Sequence, residues 1–131
     1  MSGEFAVRGA VLAALRQDAE LLGLVNQVSD GEPAKATAPW LLVGDPAGNG
    51  WGARGVDGLS LRQPLLLTLR GDDLARVTEI LARIDIVLGA IHGDLGVWRI
   101  TSLRFERSRI TRNRTEWRAA VDYLVRAARL V

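Results

Sequence analysis

An α+β fold, an antiparallel sheet of four to five strands with two helices packed on one face, is predicted by three observations. Two separated segments carry apolar residues at helical spacing. Two later segments alternate apolar and polar residues over long stretches, as half-buried strands do. The elements follow the order α-β-β-α-β-β and close in a long C-terminal β-hairpin, an order that suits helices layered on a sheet. At 131 residues and 48% hydrophobic content, the chain forms a single domain spanning 1–131 with one core.

Residues 4–25 read as the first helix, with Phe5, Leu12, Leu15, Ala19 and Leu22 on one face and Arg8, Arg16, Gln17 and Glu20 elsewhere. Ser2 suits its N-cap and Glu4 its positive end. Residues 28–38 are turn-rich, around Asp30-Gly31 and Pro33. Trp40-Leu41-Leu42-Val43 then reads as a short strand buried on both faces. Residues 44–58 contain six glycines, so a flexible loop without regular structure is expected between the strands.

The next strand is the clearest. Leu59, Leu61, Gln63, Leu65, Leu67 and Leu69 share one face, and Ser60, Arg62, Pro64, Leu66, Thr68 and Arg70 the other. Pro64 lacks an N–H and places the first half of this strand at an edge or bulge. Gly71-Asp72-Asp73 ends the strand and caps a helix whose stripe is Leu74, Val77, Leu81, Ile84, Leu88 and Ile91, up to Gly93. In the hairpin, a bulge near Thr101-Ser102 brings Trp98, Ile100, Leu103 and Phe105 to the core side. The tip is expected within 111–114, with Asn113 accepting positive φ. In the last strand Trp117, Ala119, Val121, Tyr123 and Val125 point in, and Arg118, Ala120, Asp122, Leu124 and Arg126 point out.

Composition narrows the function. No stretch approaches 20 consecutive apolar residues, so no membrane partner is expected. The N-terminus has no signal-peptide pattern. The absence of cysteine excludes disulfides and thiolate metal sites and suits a reducing cytoplasm. Net charge is +2, unevenly placed: residues 1–98 hold 8 basic and 12 acidic side chains, and residues 99–131 hold 9 arginines and 3 acids. Sixteen of the 17 basic residues are arginine, which favours bidentate contacts with carboxylate or phosphate.

No catalytic, cofactor or metal site emerges. Gly50-Trp51-Gly52-Ala53-Arg54-Gly55 matches the spacing of a dinucleotide turn, but a strand follows it. The pyrophosphate of that motif sits on a helix N-terminus, which is missing here. His92 is the sole histidine, and no nucleophile or orienting group stands near it in the sequence. The arginines of the hairpin, Arg104, Arg107, Arg109, Arg112 and Arg114, have three readings. They protect a charged edge strand from aggregation, they form a salt-bridged protein interface, or they neutralise phosphates. Trp40, Trp98 and Trp117 fall in strand patterns and are expected in the core, whereas Trp51 stands among glycines and either packs back or meets a partner.

Over nearly its full length the chain resembles the tail-completion, or tail-terminator, proteins of long-tailed phages and phage-derived gene transfer agents. The resemblance rests on the helix at 10–25, "PWLLVGD" at 39–45, "RQPLLLTLRG" at 62–71, the helix at 73–91 and the hairpin at 100–127. "SLRFERSR" followed by a turn and an alternating strand is its most specific part, and "TRNRTEW" departs from the family's more usual Asp/Gly tip. The resemblance implies a structural virion protein rather than an enzyme, with no cofactor. It implies a homo-oligomeric ring, typically of six copies, that caps the tail tube, stops its polymerisation and joins the head connector, or stopper. Its partners are then itself, the tail tube protein and the connector, with DNA passing through the lumen without specific binding. The ring would stand at the head–tail junction of a particle assembled in the bacterial cytoplasm. On this reading Trp51, Arg54, Arg104, Arg107, Arg109, Arg112 and Arg114 are the candidate ring or tube contacts, and the segment 44–58 is an arm ordered on assembly. Another connector or minor tail component, or a nucleic-acid-binding module using the basic hairpin, are the alternatives.

Overall fold

The computed structural model describes residues 3–31 and 37–130; Ser2 and Pro33, named above as cap and turn, lie outside them. The elements are α1 (Gly3–Gln17), α2 (Ala19–Leu22), β1 (Gln27–Asp30), β2 (Trp40–Val43), β3 (Ala47–Ala53), β4 (Val56–Arg70), α3 (Leu74–Gly89), β5 (Gly93–Leu95), β6 (Trp98–Asn113) and β7 (Glu116–Leu130). The α+β class holds, but the sheet has seven strands rather than four or five. Its order is β1-β2-β4-β7-β6-β5, with β3 also paired to β4. It is mixed, because β1 and β2 run parallel.

β4 is the organising strand. β7 pairs with it along its whole length, from Val56↔Leu130 to Arg70↔Glu116. On its other edge, β3 pairs with residues 56–62 and β2 with residues 65–68. Pro64 therefore sits in a central strand, not at an edge. It is tolerated because its missing N–H falls in the gap where the chain passes from β2 to β3, opposite neither strand. The alternation is as read: Leu59, Leu61, Gln63, Leu65, Leu67 and Leu69 are all buried.

The expected loop at 44–58 is largely regular structure. Seven of its residues form β3, joined to β4 by a two-residue turn at Arg54-Gly55. Glycine composition suggested irregularity, but strand pairing needs only backbone groups, and close packing against β4 favours residues without bulk.

The helices pack on each other and on the buried face of the sheet. Gly3 of α1 lies so close to it that an added Cβ would stand 2.6 Å from Leu59 Cδ2 and 3.0 Å from Trp98 Cε2. From α3, the Asp85 carboxylate accepts a hydrogen bond from Tyr123 Oη at 3.0 Å. Both helices differ in detail from expectation. α1 buries Val7, Val11 and Leu15, leaving Phe5 71% exposed. The helix read over 4–25 breaks at Asp18, whose extended backbone ends α1 and whose carboxylate caps α2 through Leu21 N at 2.9 Å. α3 buries Val77, Ile80, Ile84, Val87 and Leu88, while Leu74 is exposed and Leu81 and Ile91 are half-buried. Two overlapping stripes exist in that helix. Arg83 bound to Asp18 and Asp85 bound to Tyr123 select its rotation.

Candidate assembly interface

β6 and β7 form a long hairpin whose tip is held at the end of β4, where Gly71 N–H donates to Thr115 O at 2.8 Å. Its turn is Arg114-Thr115, between Asn113 and Glu116. Arg114, not Asn113, takes positive φ, at 50°. The expected bulge falls at Thr101, whose Oγ1 donates to Arg126 O at 3.1 Å; a second lies at Glu106. Trp98 and Ile100 are buried, Leu103 is half-buried and Phe105 is half exposed. Phe105 does point to the core side, edge-on to Tyr123, but it lines an open pocket with Leu81 and Asp85 of α3 rather than packing closed against them. Trp40 and Trp117, expected in the core, are only half-buried.

Paired residues of neighbouring strands share a face, so the register sorts the arginines. Arg104, Arg107 and Arg109 lie opposite Leu124, Asp122 and Ala120 on the helix-free face. Arg112 lies opposite Trp117 on the other face, stacked on its ring at 5.1 Å and paired with Asp72. Arg114 stands at the tip and Arg54 at the β3–β4 turn. The seven candidates are thus split among two faces and two tips rather than gathered in one patch.

Some of these side chains are already engaged. Arg107 donates to Asp122 at 2.6 Å. Among the described residues, the side chains of Arg54, Arg104, Arg109 and Arg114 make no hydrogen bond or ion pair. Trp51 packs back: its ring covers Gly58, where an added Cβ would lie 2.0 Å from the indole, and the Arg126 guanidinium stacks on it at 4.7 Å. This clasp ties β3 to β4 and β7 across the helix-free face.

The register also reveals residues that sequence reasoning did not select. Arg62, Arg70, Arg99, Arg118 and Arg126 share the helix-free face with Arg104, Arg107 and Arg109. Arg62 binds Glu106 at 2.5 Å, and this interaction, with Arg107 and Arg104 adding their fields, holds the Glu106 carboxyl below the usual carboxylate range. Arg99 does the same for Asp94 at 2.8 Å. The outward parity of Arg62, Arg118 and Arg126 was legible in the sequence; that these strands lie side by side was not.

A second polar knot holds the corner between β2 and β3. Gly44 O accepts from Gln63 Nε2 at 2.8 Å and from Arg8 Nε at 3.2 Å, while Arg8 Nη2 donates to Val43 O at 3.1 Å. Arg8 also pairs with Asp30 and pulls its carboxyl below the ordinary range. Gln63 is fully buried, which explains a polar residue within an otherwise leucine-lined face. Elsewhere, His92 is exposed. Among the described residues no group of three or more His, Asp or Glu could hold a metal ion, and no helix is long and apolar enough to cross a membrane.

Fold and surface together define a small α+β subunit with a long, arginine-bearing C-terminal hairpin. The family model described as "Tail completion protein gp17" matches residues 9–128, so the chain belongs to that family of structural tail proteins. A chain in the structure described as "Virion of native gene transfer agent (GTA) particle" has the same fold. It matches with a TM-score of 0.79 and 17% identity, over 92% of this chain and 93% of that one. No curated protein matches it in sequence.

Proposed function

We propose that the protein is a tail terminator: a ring, of about six copies, that caps the tail tube, stops its growth and joins it to the head connector. The observation that carries this reading is the match to the tail completion family across 9–128. The shared fold with a chain of a gene transfer agent virion supports a place in the particle; on the ring reading that place is the head–tail junction. The partners are then other copies of this chain, the tube protein and the connector, with DNA passing through the lumen.

A closed ring needs two different, complementary patches on each subunit. Arg114, exposed at the hairpin tip and without an internal partner, suits the basic side of such a contact. It is a better probe than Arg107, whose charge Asp122 already neutralises. The purified protein should sediment as a ring, and Arg114→Glu should return it to smaller species. Particles lacking the protein should carry overgrown or unjoined tubes by electron microscopy. A monomer at all concentrations, with normal tails in its absence, would reject the reading.

A further inference from the structure

The helix-free face of the sheet has a charge that its sequence order conceals. Eight exposed arginines share it: Arg62 and Arg70 on β4, Arg118 and Arg126 on β7, and Arg99, Arg104, Arg107 and Arg109 on β6. Four carboxylates stand among them, each ion-paired with one arginine: Arg62 with Glu106, Arg99 with Asp94, Arg107 with Asp122 and Arg118 with Glu116. The face therefore carries an excess of four positive charges, from a chain whose net charge is +2. Of the four arginines left over, Arg126 stacks on Trp51. Arg70, Arg104 and Arg109 make no hydrogen bond or ion pair among the described residues.

The larger apolar side chains on this face, Trp40, Leu42, Trp51, Leu66 and Leu124, are half-buried, and almost none stands exposed as an anchor. Of the large exposed hydrophobic side chains, Phe5, Leu22, Leu74 and Ile86 belong to the helices, Val97 lies before β6, and Phe105 and Ile110 point to the helix side; only Leu130, at the end of β7, lies on the basic face. Protein interfaces centre on desolvated apolar or aromatic anchors. An arginine-rich surface whose apolar side chains do not stand out has the chemistry of a nucleic-acid contact.

We propose that the helix-free face is a sequence-independent contact surface for the phosphate backbone of duplex DNA. Its position as the channel wall rests on the ring reading above; its affinity for DNA does not. The interleaved carboxylates serve a purpose in this role. They offset half of the arginine charge, so the contact stays weak and salt-sensitive and a duplex slides past it.

The test is fluorescence anisotropy of a labelled duplex of arbitrary sequence with the purified protein, at salt concentrations between about 50 and 200 mM. Binding should appear at low salt and weaken steeply as salt rises. The variant Arg70→Gln/Arg104→Gln/Arg109→Gln removes only unpaired arginines, and circular dichroism confirms that it remains folded. It should bind at least about tenfold more weakly at low salt, with a salt dependence shallower by about 0.9 in the logarithmic slope for each phosphate no longer neutralised. Arg76→Gln on α3, away from this face, should bind as the parent does. No binding by the parent, or equal binding by the triple variant, overturns the proposal. So does loss of self-association in the triple variant without any DNA binding by the parent, which would make the face a protein interface. DNA binding by a protein that never forms a ring would instead reject the ring reading and leave the surface assignment standing.

Discussion

Gly58 and Trp51 form the most informative pair of residues. A methyl group at position 58 would penetrate the indole, so Gly58→Ala must dislodge Trp51 and its stack with Arg126. Forced repacking of this kind costs about 1–3 kcal/mol. Urea unfolding should show that loss, and Trp51→Ala should absorb most of it, because the two substitutions break the same interaction. Additive effects would mean that the indole does not rest on Gly58. Asp18 offers a second test. Hydrogen bonding to Arg83, reinforced by Leu21 N, lowers its pKa from 3.8 to about 2. The folded state thus holds the charged form more tightly than the unfolded state does. Its stabilisation is complete above about pH 4 and disappears as pH falls towards about 2. Asp18→Asn should flatten the stability profile in that window, and an NMR titration of the Asp18 carboxyl should report the lowered midpoint directly. Burial, with hydrogen bonding to Asp85, raises the Tyr123 hydroxyl in the opposite sense, keeping it protonated as the donor.

Among the elements, the β6–β7 hairpin separates folding from function. Its two-residue turn places Arg114 at a φ of 50°, a region that costs an L-residue about 1 kcal/mol and that glycine enters freely. Arg114→Gly should therefore raise the melting temperature of the free subunit. If the tip also anchors a partner, the same change weakens ring assembly, and sedimentation of the more stable variant should reveal the trade. The corner between β2 and β3 behaves oppositely. Arg8→Ala removes the donors to Val43 O and one of two to Gly44 O, and leaves Asp30 without its partner. A loss of about 1–3 kcal/mol is expected if the carbonyls remain shielded from water, with faster hydrogen exchange confined to residues 43–48. Sequence reading placed Arg8 off the apolar face of the helix, and nothing local shows that the end of a strand lies beside it.

For the whole molecule, β4 and β7 run side by side through their full length and bind every other strand except β1 and β5 directly. Such a sheet should unfold as one cooperative unit, with tryptophan fluorescence and far-UV circular dichroism giving coincident transitions. Separate transitions would show that β3 or the distal hairpin melts on its own. The sequence alone determined the α+β class, the buried face of β4, the alternation of β7 and the bulge at Thr101, because each follows from the period of apolar side chains along one stretch of chain. It also determined that a strand, not a helix, follows the glycine-rich segment. Only the tertiary structure decided that this segment pairs as β3, that Pro64 sits in a gap within a central strand, and which of two stripes α3 buries. Only the register, too, collected arginines from three strands onto one face. Each of these depends on which segments meet across the fold, and backbone pairing and side-chain charge leave no periodic mark that would identify a distant neighbour.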